Sequence, residues 1–145
     1  MSVNNPSSTI FYAIEEAIKA YRKLSSREIK KVISDITVDQ ALILQIINEN
    51  QITQTEIADL LFKDYASMTR IISLMIKKDY IVKMVNQRDK RSVVLKITKK
   101  GEISLEKLTP IINNNRQIAT DGITKNELEQ LKNILNKITQ NSKIN

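Results

Sequence analysis

The order of four short segments in the middle of the chain constrains its fold more than any other feature of the sequence. A capping box, Thr53 with glutamate three residues later, predicts a helix of about two turns. Asp64 can cap a second helix over about residues 65–78. Two β-branched runs follow, 81–87 and 92–97, and the charged link Arg-Asp-Lys-Arg between them predicts a hairpin with a basic tip. This order of elements is typical of a winged helix-turn-helix.

The second of these helices has two contrasting faces. Met68, Ile72 and Met75 recur at helical spacing and predict the buried face. The opposite face carries small hydrogen-bonding side chains and basic residues, namely Ser67, Thr69, Arg70, Ser73 and Lys77. Taken alone, this face is better explained as a solvated helix surface. The basic hairpin that follows it favours a surface that meets DNA.

An amphipathic helix is predicted ahead of this segment, over about residues 9–23, behind the candidate N-caps Ser7 and Ser8. A further apolar series lies at residues 29–36. The pattern leaves open whether the first helix continues past Ser25-Ser26 or bends there.

Capping boxes mark two more helices. Thr37 with Gln40 begins a strongly apolar helix, and Thr124 with a glutamate begins the last amphipathic helix. Between them Thr98 caps a helix in which Pro110 predicts a kink or break. Because the chain has only two glycines and two prolines, we expect a mostly α fold with a small β-hairpin wing.

The length of the chain suits a single domain, and its charge distribution suits a surface that meets nucleic acid. The 145 residues suit one domain with a sizeable core, so residues 1–145 are assigned to a single domain. Residues 63–107 contain twelve basic and five acidic side chains, so this block accounts for the whole net charge of +7. A localised basic block is expected where a surface meets nucleic acid, although lysine-rich solvated surfaces are also common.

Missing residue types exclude several kinds of chemistry. The chain has no histidine, cysteine or tryptophan. Zinc sites, thiol redox switches and imidazole-assisted nucleophiles are therefore excluded, and we expect neither an enzyme nor a protein that needs a metal or other cofactor. The apolar runs are far shorter than a membrane span, and no export signal is visible, so a soluble cytoplasmic protein is expected.

From residue 37 onward the chain resembles the multiple-antibiotic-resistance regulator (MarR) family of bacterial winged-helix transcription factors. The most specific match is the wing signature D-x-R-x-x-x-L-x-[LI]-T-x-x-G, here Asp89, Arg91, Leu95, Ile97, Thr98 and Gly101. Two departures stand out. Asp79 stands where the family usually has glycine at the end of the recognition helix, and the short wing tip lacks the proline common in relatives.

The resemblance implies which side chains would contact DNA. They are Gln54, Thr55, Tyr65, Ser67, Thr69, Arg70, Ser73, Arg88, Asp89, Lys90 and Arg91. Arg70 would read a base edge, and the helix that starts near Gln54 would meet phosphate. Arg91 would enter the minor groove, oriented by Asp89. For Thr55, simple helix capping is an equally good explanation.

The resemblance also implies a homodimer. The winged part would span residues 37–98, and residues 8–36 and 99–142 would form the helical dimerisation part. Its contact residues would be Ile10, Ile14, Ile18, Leu128, Leu131, Leu135 and Ile138. Alternatively, both end helices fold back on their own domain.

Within the family, small aromatic or phenolic molecules commonly release the dimer from DNA. Tyr12, Tyr21 and Arg22 are the candidate residues for lining such a ligand site. Cysteine oxidation, used by some relatives, is excluded here. The sequence therefore predicts a repressor that binds a pseudo-palindromic operator as a dimer and is released by a ligand. A winged helix that binds protein partners instead of DNA is the alternative, and a membrane-surface role ranks last.

Overall fold

The computed structural model describes residues 5–144, which form six α-helices, one 3-10 turn and one small sheet. The helices are α1 (Ile10–Val32), α2 (Val38–Glu49), α3 (Gln54–Leu60), α4 (Tyr65–Lys77), α5 (Lys99–Ala119) and α6 (Lys125–Ser142). The strands are β1 (Ile52–Thr53), β2 (Ile81–Val85) and β3 (Val93–Ile97). The predicted fold class, mostly α with a small hairpin wing, is confirmed.

The sheet has one strand more than the predicted hairpin. Its order is β1-β3-β2, and both neighbours of β3 run antiparallel to it. Strand β1 has only two residues, Ile52 and Thr53, which pair with Leu95 and Val94. A two-residue strand is too short to show the alternation by which strands are recognised in a sequence. Strand β1 therefore could not be predicted from its own residues.

The hydrophobic core lies around α2 and α4. Fully buried side chains from these helices include Ile43, Leu44, Met68 and Met75. Ile29 of α1, Ile81 of β2 and Leu108 of α5 belong to the same cluster. The buried face predicted for α4 is confirmed, and its packing turns the opposite face outward.

Helix α1 is continuous from Ile10 to Val32. Ser25 is a buried position within it, so the question of a bend after Ser25-Ser26 is answered in favour of one helix. Ser7 and Ser8 do not cap α1, because they lie in the 3-10 turn. The N-cap is Thr9, whose hydroxyl accepts a hydrogen bond from the N–H of Tyr12.

Of the kink or break predicted at Pro110, the break is wrong, since α5 continues through it, and the kink stays a prediction. Proline removes the hydrogen bond to the carbonyl of the residue four positions before it, which here is Glu106. Both residues are exposed, so water can satisfy that carbonyl.

Three caps behave as their sequences predict, with one difference in detail. Thr37 and Thr124 form reciprocal capping boxes with Gln40 and Glu127. Thr53 accepts from the N–H of Glu56, but the Glu56 carboxylate accepts from the Thr53 hydroxyl instead of its backbone.

The described residues divide into two compact units, one ending at Asn115 and the other beginning at Arg116. The first contains the core and the wing. In the second, α6 has no buried residue, and Leu131 and Ile134 are exposed. The assignment of the whole chain to one domain stays a prediction.

Candidate nucleic-acid interface

Helix α4 carries five of the eleven predicted DNA-contacting residues. Tyr65, Thr69, Arg70 and Ser73 are exposed, because the buried residues Met68, Ile72 and Met75 hold the opposite face on the core. This arrangement leaves a polar ridge along the helix that can reach base edges and phosphates.

The first turn of α4 is fixed by its cap. The Asp64 carboxylate accepts from the Ser67 N–H at 2.7 Å and from the Ser67 hydroxyl at 3.1 Å. These hydrogen bonds hold the pKa of Asp64 below its usual value. Ser67 is thus engaged in capping and only partly exposed, which makes it a weaker candidate for base contact than Arg70.

Helix α3 is linked directly to the exposed face of α4. The Gln54 amide nitrogen Nε2 donates to the Thr69 hydroxyl at 2.6 Å, and that hydroxyl donates to the Tyr65 carbonyl at 2.9 Å. The structure therefore brings together three predicted residues from two helices. Thr55 is exposed and is not the cap of α3, since Thr53 fills that position.

The wing tip is ordered by side-chain hydrogen bonds to the backbone. Asp89 Oδ1 accepts from the Arg91 N–H at 3.0 Å and lies 3.4 Å from Arg91 Nε. Asn86 Oδ1 accepts from the Arg88 N–H at 3.0 Å. The predicted pairing of Asp89 with Arg91 is present, and it leaves the Arg91 side chain 94% exposed.

A hollow lies between the helices and the wing. It is lined by Thr53, Gln54, Thr55, Tyr65, Lys83, Arg91, Ser92, Val93 and Leu95. Four of the predicted DNA-contacting residues thus meet around one concave surface. The other seven are outside this lining, namely Ser67, Thr69, Arg70, Ser73, Arg88, Asp89 and Lys90.

Lys83 is a residue of this hollow that was not among the predicted contacts. It lies opposite Leu95 in the β2–β3 register, and its side chain is exposed. Since alternate residues of a strand share a face, the register places Lys83 with Leu95 and Val93 on the side of the hollow. The predicted runs, 81–87 and 92–97, pair residue 87 with residue 92 and would place Lys83 opposite Lys96, one residue away from the observed register.

The predicted dimerisation residues are exposed or half-buried. On α1, Ile10 and Ile18 are exposed and Ile14 is half-buried. On α6, Leu131 is exposed, and Leu128, Leu135 and Ile138 are half-buried. Their role in dimerisation stays a prediction.

The candidate ligand residues do not form one site within a protomer. On a continuous helix, nine residues separate Tyr12 from Tyr21 by about 13 Å and by about half a turn around the axis. Arg22 is already paired, because its Nη2 lies 2.6 Å from Asp39 Oδ1. Asp39 also lies 3.2 Å from Lys63 Nζ, so Arg22 is part of a three-residue ionic cluster.

Membrane spans and metal clusters are both missing from residues 5–144. That part of the chain contains no helix long and apolar enough to span a membrane. Nor do these residues include a cluster of three or more side chains of the types His, Cys, Asp and Glu that could hold a metal ion.

Comparison with known proteins gives consistent matches. A family model described as MarR family matches residues 34–92. An uncharacterized HTH-type transcriptional regulator, YwaE of Bacillus subtilis (strain 168), is 30% identical over 86 residues, which are 59% of this chain and 50% of that protein. The multiple antibiotic resistance protein MarR of Escherichia coli (strain K12) is 28% identical over 88 residues, 60% of this chain and 61% of the relative. The matched stretch thus spans half to three fifths of these curated relatives.

Solved structures share the fold over nearly the whole chain. A mutant MarR from E. coli, in complex with operator DNA, superposes with a TM-score of 0.81 at 24% identity, covering 95% of this chain and 99% of that one. Bordetella bronchiseptica BpsR, from a study of how 6-hydroxynicotinic acid regulates its DNA binding, gives a TM-score of 0.82 at 16% identity, with 95% and 98% covered. At these identities the structures establish the fold. The matched family segment runs from just before α2 to the tip of the wing, so over residues 34–92 this chain is similar to the MarR family.

Proposed function

We propose that this chain is a transcriptional regulator that binds a pseudo-palindromic operator as a homodimer. The observation that carries the proposal is the hollow between α3, α4 and the wing, where Gln54, Lys83 and Arg91 converge. In its immediate neighbourhood, Arg70 extends the same basic character along α4.

The chemistry of this surface suits DNA better than a protein partner. Arg91 is almost fully exposed and pre-oriented by Asp89, and the wing tip places Arg88 and Lys90 beside it. Arginine at such a tip can enter a minor groove, and lysine neutralises phosphate.

The proposed dimer would bury the open apolar positions of α1 and α6. Two copies related by a two-fold axis would present two α4 helices about 34 Å apart, which is one turn of DNA. A site with two matching half-sites would then be selected over a single half-site. Acting on DNA, such a bacterial protein would work in the cytoplasm.

We also propose that a small aromatic or phenolic ligand releases this dimer from DNA, which makes it a repressor. Support comes from BpsR, whose DNA binding 6-hydroxynicotinic acid regulates. Because Tyr12 and Tyr21 lie on opposite sides of α1, a ligand would contact one of them within a protomer, not both.

Selection of bound duplexes from a random DNA pool tests the proposal directly. We expect enrichment of a two-fold-symmetric site, and we expect that repeating the selection with 6-hydroxynicotinic acid reduces recovery. Absence of any enriched sequence at low salt would overturn the DNA-binding proposal. Enrichment that is unchanged by millimolar 6-hydroxynicotinic acid would overturn the ligand proposal for this probe.

The role of the wing is tested by Arg91→Ala on the enriched site. The variant should bind all sequences more weakly and reduce the slope of log K against log salt by about 1, because one phosphate-region contact is lost. Arg27→Ala is the matched control, since it removes the same charge from an exposed position on α1. Equal slopes for the two variants would contradict a DNA contact by Arg91.

A further inference from the structure

The C-terminal end of α4 is held by a group of hydrogen bonds that the proposed DNA surface does not use. Tyr80 is 2% exposed, and its hydroxyl donates to Asp35 Oδ1 at 2.8 Å. Asp35 lies in the loop between α1 and α2. Lys78, the C-cap of α4, donates from Nζ to the Asp35 backbone carbonyl at 2.6 Å. The loop after α1 is thereby tied to the end of α4.

Residues at the start of α5 also form hydrogen bonds to the segment that follows α4. Lys100 Nζ donates to the Lys78 carbonyl at 2.7 Å and lies 4.5 Å from the centre of the Tyr80 ring. Thr98 donates from its hydroxyl to the Asp79 carbonyl at 2.6 Å and from its N–H to the Tyr80 carbonyl at 3.0 Å. We call these five residues, Asp35, Lys78, Tyr80, Thr98 and Lys100, the clasp.

At the clasp, the backbone of α5 packs closely against the backbone of Tyr80. A Cβ at Gly101 would lie 2.3 Å from the Tyr80 carbonyl oxygen, so only glycine allows α5 to approach this closely. Asp79, between Lys78 and Tyr80, has a left-handed φ of 66°, a conformation that the surrounding bonds must maintain. Burial and the hydrogen bond to Asp35 raise the pKa of Tyr80 to about 12, so its hydroxyl keeps its proton and donates at neutral pH.

We propose that the clasp is a positioning device for DNA recognition, which sets the direction of α4 relative to α1 and α5. The DNA part of this inference rests on the proposed function. Arg70 lies eight residues from Lys78, about 12 Å along the helix. A tilt of about 10° at the clasped end would therefore displace Arg70 by about 2 Å. Hydrogen bonds to base edges do not survive such a displacement.

The clasp should matter for base reading more than for phosphate binding. Contacts from the exposed, charged side chains of the wing tip to phosphate tolerate small shifts, since they depend mainly on charge. We therefore expect Tyr80→Phe to weaken binding to the selected two-half-site duplex about tenfold and to leave binding to a scrambled duplex within about twofold.

Paired substitutions distinguish the effect of losing the clasp from the effect of changing the net charge of the protein. Asp35→Ala removes the acceptor and a negative charge. The charge change alone would tighten DNA binding, whereas loss of the clasp should weaken it. Asp121→Ala is the matched control, because it removes the same charge from an exposed turn. Asp35→Asn keeps an acceptor oxygen and should restore most of the affinity, and the Tyr80→Phe, Asp35→Ala double variant should bind no more weakly than the weaker single variant.

A second measurement needs no DNA. Because the chain has no cysteine, spin labels can be placed cleanly at Lys19→Cys on α1 and Ser73→Cys on α4. Labelled protein diluted into unlabelled protein reports the distance within one protomer. We expect a broader distance distribution in Tyr80→Phe than in Asp121→Ala, measured well below the melting temperature of each variant.

The DNA-binding measurement and the spin-label measurement can contradict the proposals independently of each other. A wild-type chain that binds no DNA overturns the proposed function, while the spin-label distances still decide whether the clasp positions α4. An unchanged distance distribution in Tyr80→Phe overturns the clasp regardless of DNA binding. An unchanged affinity ratio between the selected and scrambled duplexes overturns its role in recognition.

Discussion

Among residues 5–144, two side-chain-bearing residues adopt the left-handed conformation that favours glycine. Phe62 has a φ of 56° just after α3, and Asp79 has a φ of 66° just after α4. At Phe62, hydrogen bonds from its own N–H to Asp59 O and from the Lys63 N–H to Ala58 O form a Schellman motif. Asp79 is recognisable in the sequence because the family usually has glycine there. Phe62 is not, since nothing in its neighbours marks the end of a helix.

Phe62→Gly should therefore stabilise the protein. Phe62 is 95% exposed, so its ring contributes almost no burial, and glycine adopts the left-handed conformation without steric conflict. We expect the free energy of unfolding to rise by about 1 kcal/mol, measured by urea denaturation. Phe62→Ala is the control, because it removes the ring and keeps the Cβ. A gain of equal size in Phe62→Ala would show that the backbone conformation is not the cause.

Individual helices were predicted well where the signal is local. The caps at Thr37, Asp64 and Thr124 lie where the sequence places them, since a capping side chain reaches only two or three residues along the chain. Prediction failed where a structural element depends on its environment in the folded chain and not on its neighbours in the sequence. The continuation of α5 through Pro110 depends on water at an exposed carbonyl, and strand β1 exists only because β3 is there to pair with it.

At the same scale, α6 has an apolar face that is left open in a single chain. Leu131→Glu places a charge on this face, where Leu131 is 50% exposed. If a second copy covers it, burial of that charge should raise the dimer dissociation constant at least about a hundredfold, measured by sedimentation equilibrium. Asn133→Glu, which adds the same charge at an exposed polar position of α6, is the control. A wild-type chain that is monomeric at every concentration would contradict the proposed dimer.

At the scale of the whole molecule, we expect the cluster of Arg22, Asp39 and Lys63 to make the free energy of unfolding decrease at low pH. Burial disfavours the charged form of Asp39, but hydrogen bonds and charges from Arg22 and Lys63 outweigh it and lower the pKa of Asp39. A carboxyl with a lowered folded pKa contributes stability above its unfolded pKa, near 4, and loses that contribution as the pH falls through the folded pKa. The cluster joins α1, α2 and the turn before α4, so its loss should affect global unfolding.

Thermal melts between pH 7 and pH 2.5 would measure this dependence. We expect Asp39→Asn to lower the stability at pH 7 by about 1 kcal/mol and to show a shallower decline in acid than the wild type. Asp121→Asn, at an exposed turn, should follow the wild-type curve. Parallel acid limbs for Asp39→Asn and the wild type would assign the acid dependence to other carboxylates.

The amino-acid sequence by itself determined the fold class, the caps at Thr37, Asp64 and Thr124, and the outward face of α4. These follow from periodicity and capping, which act between residues close in the chain, whereas the pairing of Asp89 with Arg91 was implied by the resemblance to the MarR family. Only the tertiary structure decided that Lys83 joins the hollow and that Asp35, Tyr80 and Lys100 meet at the end of α4. Asp35 and Tyr80 are 45 residues apart in sequence, and only packing of the core brings such distant side chains into hydrogen-bonding distance.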